Sequence, residues 1–87
     1  MRVKCYYNRN LKMSPEKLAA QVAHVCIHLT QHYGDDLINT VIVLKATPTK
    51  MDSIRESISY TYTQVDTGLT EVPPNTPTVI GYVEDYV

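Results

Sequence analysis

The stretch from Asn8 to His28 constrains the fold of this chain most, because in it a short polar loop runs directly into a well-marked helix. Ser14 can cap the helix N-terminus, and Pro15 suits the first helical position because no amide hydrogen is needed there. Apolar side chains then recur with helical spacing on one face: Leu18, Val22, Val25 and Leu29. We therefore expect a helix from Pro15 to Gln31 or Tyr33 that packs on a core through this face.

A second face of the same helix is polar. Lys17, Gln21, His24 and His28 share the helical spacing, so Lys17 and Gln21 lie one turn apart and can contact one small ligand together. A cation in the first turn opposes the helix dipole, which makes Lys17 unusual. Two interpretations stay open: a solvated surface lysine near Glu16, or an anion site that the ammonium forms with the free backbone amides.

The remaining segments alternate between strand and helix patterns. They predict strands over 2–7, 41–44, 60–66 and 78–83, a loop over 8–13, a break at 47–49, a weak helix over 50–58 and a Pro-rich loop over 72–77. The continuous apolar run at 41–44 suits a central strand buried on both faces. The β-α-β-α-β-β order predicts one α/β domain over residues 1–87, with a mixed four-stranded sheet flanked by helices.

This fold predicts where a site would lie. In such sheets, sites gather at the loops that leave the carboxyl ends of strands. The loop before Lys17 and the loop that starts at Asp66 both leave strands at that end. We therefore expect these two loops to meet.

Length and composition limit the classes of protein. With 87 residues the core is modest, so a homodimer would bury more surface. No segment approaches the roughly 20 apolar residues of a membrane span, and the N-terminus lacks the apolar region of a signal peptide, so we expect no membrane association and a cytoplasmic protein. Cys5 and Cys26 form no CxxC pair, and we expect both to be reduced and buried.

The overall charge does not favour binding to a polyanion, but one local patch of cations could. Eight Lys and Arg against nine Asp and Glu give a net charge of −1, whereas phosphate recognition usually leaves a basic footprint. Five of the eight cations nevertheless lie within the first seventeen residues: Arg2, Lys4, Arg9, Lys12 and Lys17. A basic patch is therefore predicted close to the start of the helix.

The histidines and tyrosines each have more than one interpretation. His28 and His32 continue the helical spacing, but no acidic or cysteine ligand matches it, so we expect no metal site. We expect the tyrosines of the strand segments to belong to the core or to a sheet face rather than to a platform for stacking bases: Tyr6, Tyr7, Tyr60 and Tyr62.

Two motifs carry a family resemblance. K-M-S-P-E-K-L-A-A-Q-V-A-H, from Lys12 to His24, resembles the signature helix of type II peptidyl-tRNA hydrolases, K-M-x-x-G-K-x-A-A-Q-x-x-H. D-T-G-L-T-E-V-P-P-N-T-P-T-V, from Asp66 to Val79, resembles that family's D-A-G-R-T-Q-I-x-P-G-T-x-T-V loop. The two motifs follow each other in the family's order.

The resemblance implies hydrolysis of the ester between a peptide and the terminal ribose of tRNA, without a metal or other cofactor. It places the family's catalytic residues on Lys17, Gln21, Asp66 and Thr70. The carboxylate would activate water, with Thr70 as an intermediary, and the lysine and amide would stabilise the oxyanion. Asp66 and Thr70 have a second interpretation, as groups that hydrogen-bond the turn at Gly68. The expected substrate-binding residues are Asn8, Arg9, Lys12 and His24, the last of which can instead position the helix.

The chain departs from the family pattern at several positions. Glu16 and Leu69 replace the usual glycine and arginine, and Glu71 replaces the usual glutamine, which together remove a cation and add two acids where an anionic substrate would approach. The segment after the first helix and the second helix are short, and we expect no counterpart of the family's C-terminal helix. The alternative function is therefore a binding or regulatory module that kept the fold and lost the reaction.

Overall fold

A computed structural model of the chain has the predicted order of elements. It describes residues 1–34, 38–66 and 72–85. The elements are β1 (Arg2–Asn8), α1 (Pro15–Tyr33), β2 (Thr40–Ala46), α2 (Pro48–Ser57), β3 (Tyr62–Asp66) and β4 (Thr76–Glu84). The expected α/β class and the β-α-β-α-β-β order are confirmed. Of the described residues, no helical stretch is long and apolar enough to cross a bilayer.

The sheet brings the loop before α1 and the end of β3 to the same side of the fold. Its strand order is β2-β1-β4-β3, with β1 parallel to β2 and β4 antiparallel to both β1 and β3. Strands β1, β2 and β3 therefore run in the same direction, and their carboxyl ends lie on the same side of the sheet. The loop that leads into α1 and the end of β3 at Asp66 both lie there.

The prediction that the second strand is central and buried is wrong. Among the described strands, β2 lies at an edge of the sheet and pairs only with β1. Val41, Val43 and Leu44 are 48%, 43% and 39% exposed. A continuous apolar run is compatible with burial on both faces, but it does not say which strands take the central positions; here β1 and β4 take them.

One helix boundary differs from the prediction, and the chemistry of a helix cap explains the difference. The predicted break at Thr47 is in fact the start of α2, because the Thr47 hydroxyl accepts a hydrogen bond from the Lys50 amide at 3.1 Å and Pro48 fills the first helical position. α2 therefore begins two residues earlier than expected. At the other helix, Tyr33 ends α1 as predicted, and Gly34 follows with a φ of 100°.

The two helices cover opposite faces of the sheet. α1 packs Val25 and Leu29 on β1 and β4, and α2 packs Met51 and Ile54 on the other face. Gly81 of β4 permits this close packing, since a Cβ atom there would lie 2.4 Å from the Val25 side chain. The first helix is thus held tightly against the strand that carries the second motif.

The cysteines and tyrosines fall largely as expected. Cys5 is buried, whereas Cys26 is only half-buried and lines an apolar groove between α1 and β2, so the expected burial of Cys26 is wrong. Four tyrosines predicted in strands are partly buried against one core cluster or the other, although β3 begins only at Tyr62: Tyr6, Tyr7, Tyr60 and Tyr62. Their expected place on the core and the sheet faces is confirmed.

Candidate active site

The start of α1 positions the first site residue. The Ser14 hydroxyl accepts a hydrogen bond from the Lys17 amide at 3.1 Å, and Pro15 occupies the first turn, as the sequence predicts. This cap fixes the first turn of the helix beside the carboxyl end of β3. The Lys17 side chain therefore leaves the helix at a defined point next to Asp66.

Lys17 and Asp66 form an ion pair at the carboxyl end of β3. The Lys17 Nζ and Asp66 Oδ1 atoms lie 2.5 Å apart, and the two side chains are only 14% and 6% exposed. The interpretation of Lys17 as a solvated surface residue is therefore wrong. Two charges removed from water in this way stabilise each other, and each would be costly without its partner.

Gln21 lies one helical turn beyond Lys17, with Cβ atoms separated by about 5–6 Å at that spacing. It is only 4% exposed, and its Oε1 atom accepts a hydrogen bond from the Thr78 hydroxyl at 2.8 Å. The same hydroxyl contacts the backbone oxygen of Gln64 at 3.2 Å. Because the oxygen end of the Gln21 amide is engaged in this way, its NH₂ group is the end that can donate to a ligand.

A carboxylate, an ammonium and an oriented amide thus converge where two sequence motifs meet. A model of the peptidyl-tRNA hydrolase PTH2 family matches residues 2–84 of the chain. The chain belongs to this family. The match runs from the first strand to the last, and a separate comparison with curated proteins found no match.

Asn8, another predicted site residue of this PTH2-family chain, lies on the α2 face of the sheet. Asn8 is buried, and its Oδ1 atom accepts a hydrogen bond from the Asn10 amide at 3.0 Å, which closes the turn after β1. It lines a cavity of about 100 Å³ with Met51 and other residues on the α2 face. Its side chain therefore holds the loop, and a direct contact with substrate stays a prediction.

The predicted basic and imidazole contacts are open to solvent. Arg9 and Lys12 are exposed in the loop between β1 and α1, and the Arg9 amide is anchored to the Ala46 oxygen at 2.8 Å. His24 is exposed on α1, one turn beyond Gln21. Thr70, the fourth predicted catalytic residue, lies outside the described residues. The roles of all these residues stay predictions.

Thr78 is the residue that the sequence analysis missed. It is fully buried and connects Gln21 to the strand that ends at Asp66. A signal was present, because Thr78 belongs to the T-P-T-V end of the second motif, but a threonine inside a strand pattern is usually a sheet residue. In the described parts of the chain, no three His, Cys, Asp or Glu side chains are grouped as metal ligands.

Proposed function

We propose that the chain hydrolyses the ester bond of peptidyl-tRNA, with Lys17, Gln21, Asp66 and Thr70 as its catalytic residues. The observation that carries this proposal is the buried Lys17–Asp66 ion pair next to the oriented Gln21 amide. A buried charge pair is costly to build, and this one lies where β3 ends beside the first turn of α1. Family membership supports the same reaction.

The proposed reaction uses these groups in two steps. Asp66 accepts a proton from a water molecule whose oxygen attacks the ester carbonyl carbon, and Thr70 helps to hold that water. Lys17 and the Gln21 NH₂ group donate hydrogen bonds to the oxyanion that forms. The carbon–oxygen bond to the ribose then breaks, the proton on Asp66 passes to the leaving ribose oxygen, and a free peptide and tRNA result. Neither step calls for a metal or other cofactor.

Recognition of the tRNA would depend on the exposed cations near the site. Arg9 and Lys12 lie in the loop that precedes the Lys17 turn, and both are exposed. Neutralised phosphates release counterions, so binding through these residues should weaken steeply as salt rises. Glu16 is also exposed beside them, and its charge is the feature that favours the alternative of a module that binds without turnover.

The test is the release of an N-blocked amino acid from its tRNA, with and without a chelator. We expect turnover by wild type that the chelator leaves unchanged, and loss of turnover in Lys17→Met and Asp66→Asn. The chain offers a matched control in Lys50, which occupies the same third position of the other capped helix but is exposed. Lys50→Met should retain full activity.

The outcomes separate the two functions. Turnover that survives in Lys17→Met or Asp66→Asn would contradict the assigned site. No turnover by folded wild type, together with no tRNA binding at low salt, would favour the binding or regulatory module. The expected homodimer and the cytoplasmic location stay predictions.

A further inference from the structure

A second surface feature lies beside the candidate active site. It is an open groove of about 360 Å³ between the polar face of α1 and strand β3. Six residues line it: His24, Ile27, His28, Gln31, Tyr62 and Gln64. Three of the six carry rings, and none carries a carboxylate.

The groove is continuous with the site through two residues. Gln64 lines the groove with its side chain, while its backbone oxygen contacts the Thr78 hydroxyl that holds Gln21. His24 follows Gln21 by one turn on the same helical face. At a rise of 1.5 Å per residue, His24 lies about 10 Å from Lys17 along the helix axis. If the substrate ester is bound at Lys17, a group attached to that ester can therefore reach the start of the groove.

Two of the three rings in the groove, those of His28 and Tyr62, belong to an ordered stack. The ring centroids of His28 and Tyr62 lie 3.8 Å apart at an interplanar angle of 20°. Beyond them, His32 and Tyr60 lie 3.8 Å apart at 6°, and His28 Nε2 and Tyr60 Oη share a hydrogen bond of 2.9 Å. Rings fixed in this way lose little further freedom when a planar group joins them.

We infer that this groove binds the unpaired bases at the 3′ end of the tRNA substrate. The inference rests on the function proposed above and names the part of the substrate that the groove takes. Bases stack on aromatic rings regardless of sequence, and the absence of carboxylates from the described lining spares the phosphates from repulsion. The Tyr62 hydroxyl donates to Gln64 Oε1 at 3.3 Å, which leaves the Gln64 NH₂ group to donate to a base edge.

The peptide is the competing occupant, since it is attached to the same ester. Peptides released from the ribosome vary in sequence, whereas every mature tRNA ends in the same unpaired CCA. Fixed rings with hydrogen-bonding side chains suit a constant planar partner better than a variable chain. Tyr62 then has two functions: it packs against the core, as the sequence predicted, and it also lines the groove.

The experiment compares two labelled RNA hairpins by fluorescence anisotropy. One carries the acceptor stem with its unpaired CCA end, and the other is the same stem with that end removed. Wild type should bind the first about 5- to 150-fold more tightly for one stacked base. His24→Ala and Tyr62→Leu should reduce this preference, and His24 is exposed, so its variant tests the groove without a risk to the fold. Tyr6→Leu removes the same kind of ring from the opposite sheet face and should leave the preference unchanged.

Activity assays separate failure of this inference from failure of the proposed function. In the groove variants, KM for peptidyl-tRNA should rise while kcat at saturation stays close to wild type. Equal binding of the two hairpins by an active wild type would overturn the inference alone. A KM effect that follows peptide length instead of the CCA end would also overturn it. A CCA preference that depends on Tyr62 in a wild type without turnover would support the groove and refute the hydrolase.

Discussion

Breaking the Lys17–Asp66 pair should cost far more stability when one charge is removed than when both are removed. The two side chains are 14% and 6% exposed, so either single substitution removes the opposite charge from beside a buried one. Such a loss typically costs about 3–5 kcal/mol. Replacing both with apolar residues of similar size removes both charges from the interior and should return the protein to within about 1 kcal/mol of wild type.

This cost is large for so small a chain. At roughly 0.05–0.15 kcal/mol per residue, the total free energy of unfolding is about 4–13 kcal/mol. Lys17→Met or Asp66→Leu would therefore remove from about a quarter of this free energy to all of it. A loss of about 3 kcal/mol corresponds to a fall in Tm of roughly 12–24 °C for a domain of this size.

The assay is urea unfolding followed by circular dichroism for wild type, the two single variants and the double variant. The exposed Arg55–Asp52 pair serves as the control, because its side chains are 44% and 64% exposed and its atoms lie 2.9 Å apart on one helix. Loss of that pair should cost well under about 1 kcal/mol. If the costs of Lys17→Met and Asp66→Leu simply added in the double variant, the two charges would not interact and the argument from burial would be refuted.

Three further predictions concern the surroundings of the site and the thiol and phenol groups elsewhere. Thr78→Val removes the hydroxyl that donates to the buried Gln21 Oε1 atom and should cost about 1–3 kcal/mol in urea unfolding and lower kcat, whereas Thr78→Ser should keep both close to wild type. A hydrogen bond from the Cys5 thiol lowers the pKa of Cys26 to about 7, so the pH midpoint of its alkylation by iodoacetamide should lie near 7 and rise in Cys5→Ala; an unchanged midpoint would refute this cause. Burial, and then the neighbouring Tyr6, raise the pKa of Tyr82 to about 12. The contribution of this group to stability is therefore present below pH 10 and is lost as the pH rises toward 12. In wild type the midpoint of urea unfolding should fall over this pH range, and in Tyr82→Phe it should fall less.

The parts of the fold that the sequence predicted well are those that local chemistry decides. The start of α1 depends on Ser14 and Pro15, and both act within one turn of the helix. The convergence of Lys17 with Asp66 followed from a general rule about loops at the carboxyl ends of strands. Neither inference needed to know which strands pair with which.

The errors concern features that depend on tertiary partners. Whether Val41 and Val43 are covered depends on the position of β2 in the sheet, which its apolar run does not encode. The role of Thr78 in the site depends on its hydrogen bond to Gln21, which is 57 residues away in the sequence. The misplaced start of α2 is different, because Thr47 and Pro48 carried a local cap signal that was interpreted as a break.

The measurement that tests the central claim most directly is the release of an N-blocked peptide from its tRNA by wild type, Lys17→Met, Asp66→Asn and Lys50→Met, each shown to be folded by circular dichroism. The account predicts turnover by wild type and Lys50→Met, and none above background for the two variants of the buried pair. Equal turnover by all four proteins would contradict the site, and no turnover by any of them would contradict the hydrolase.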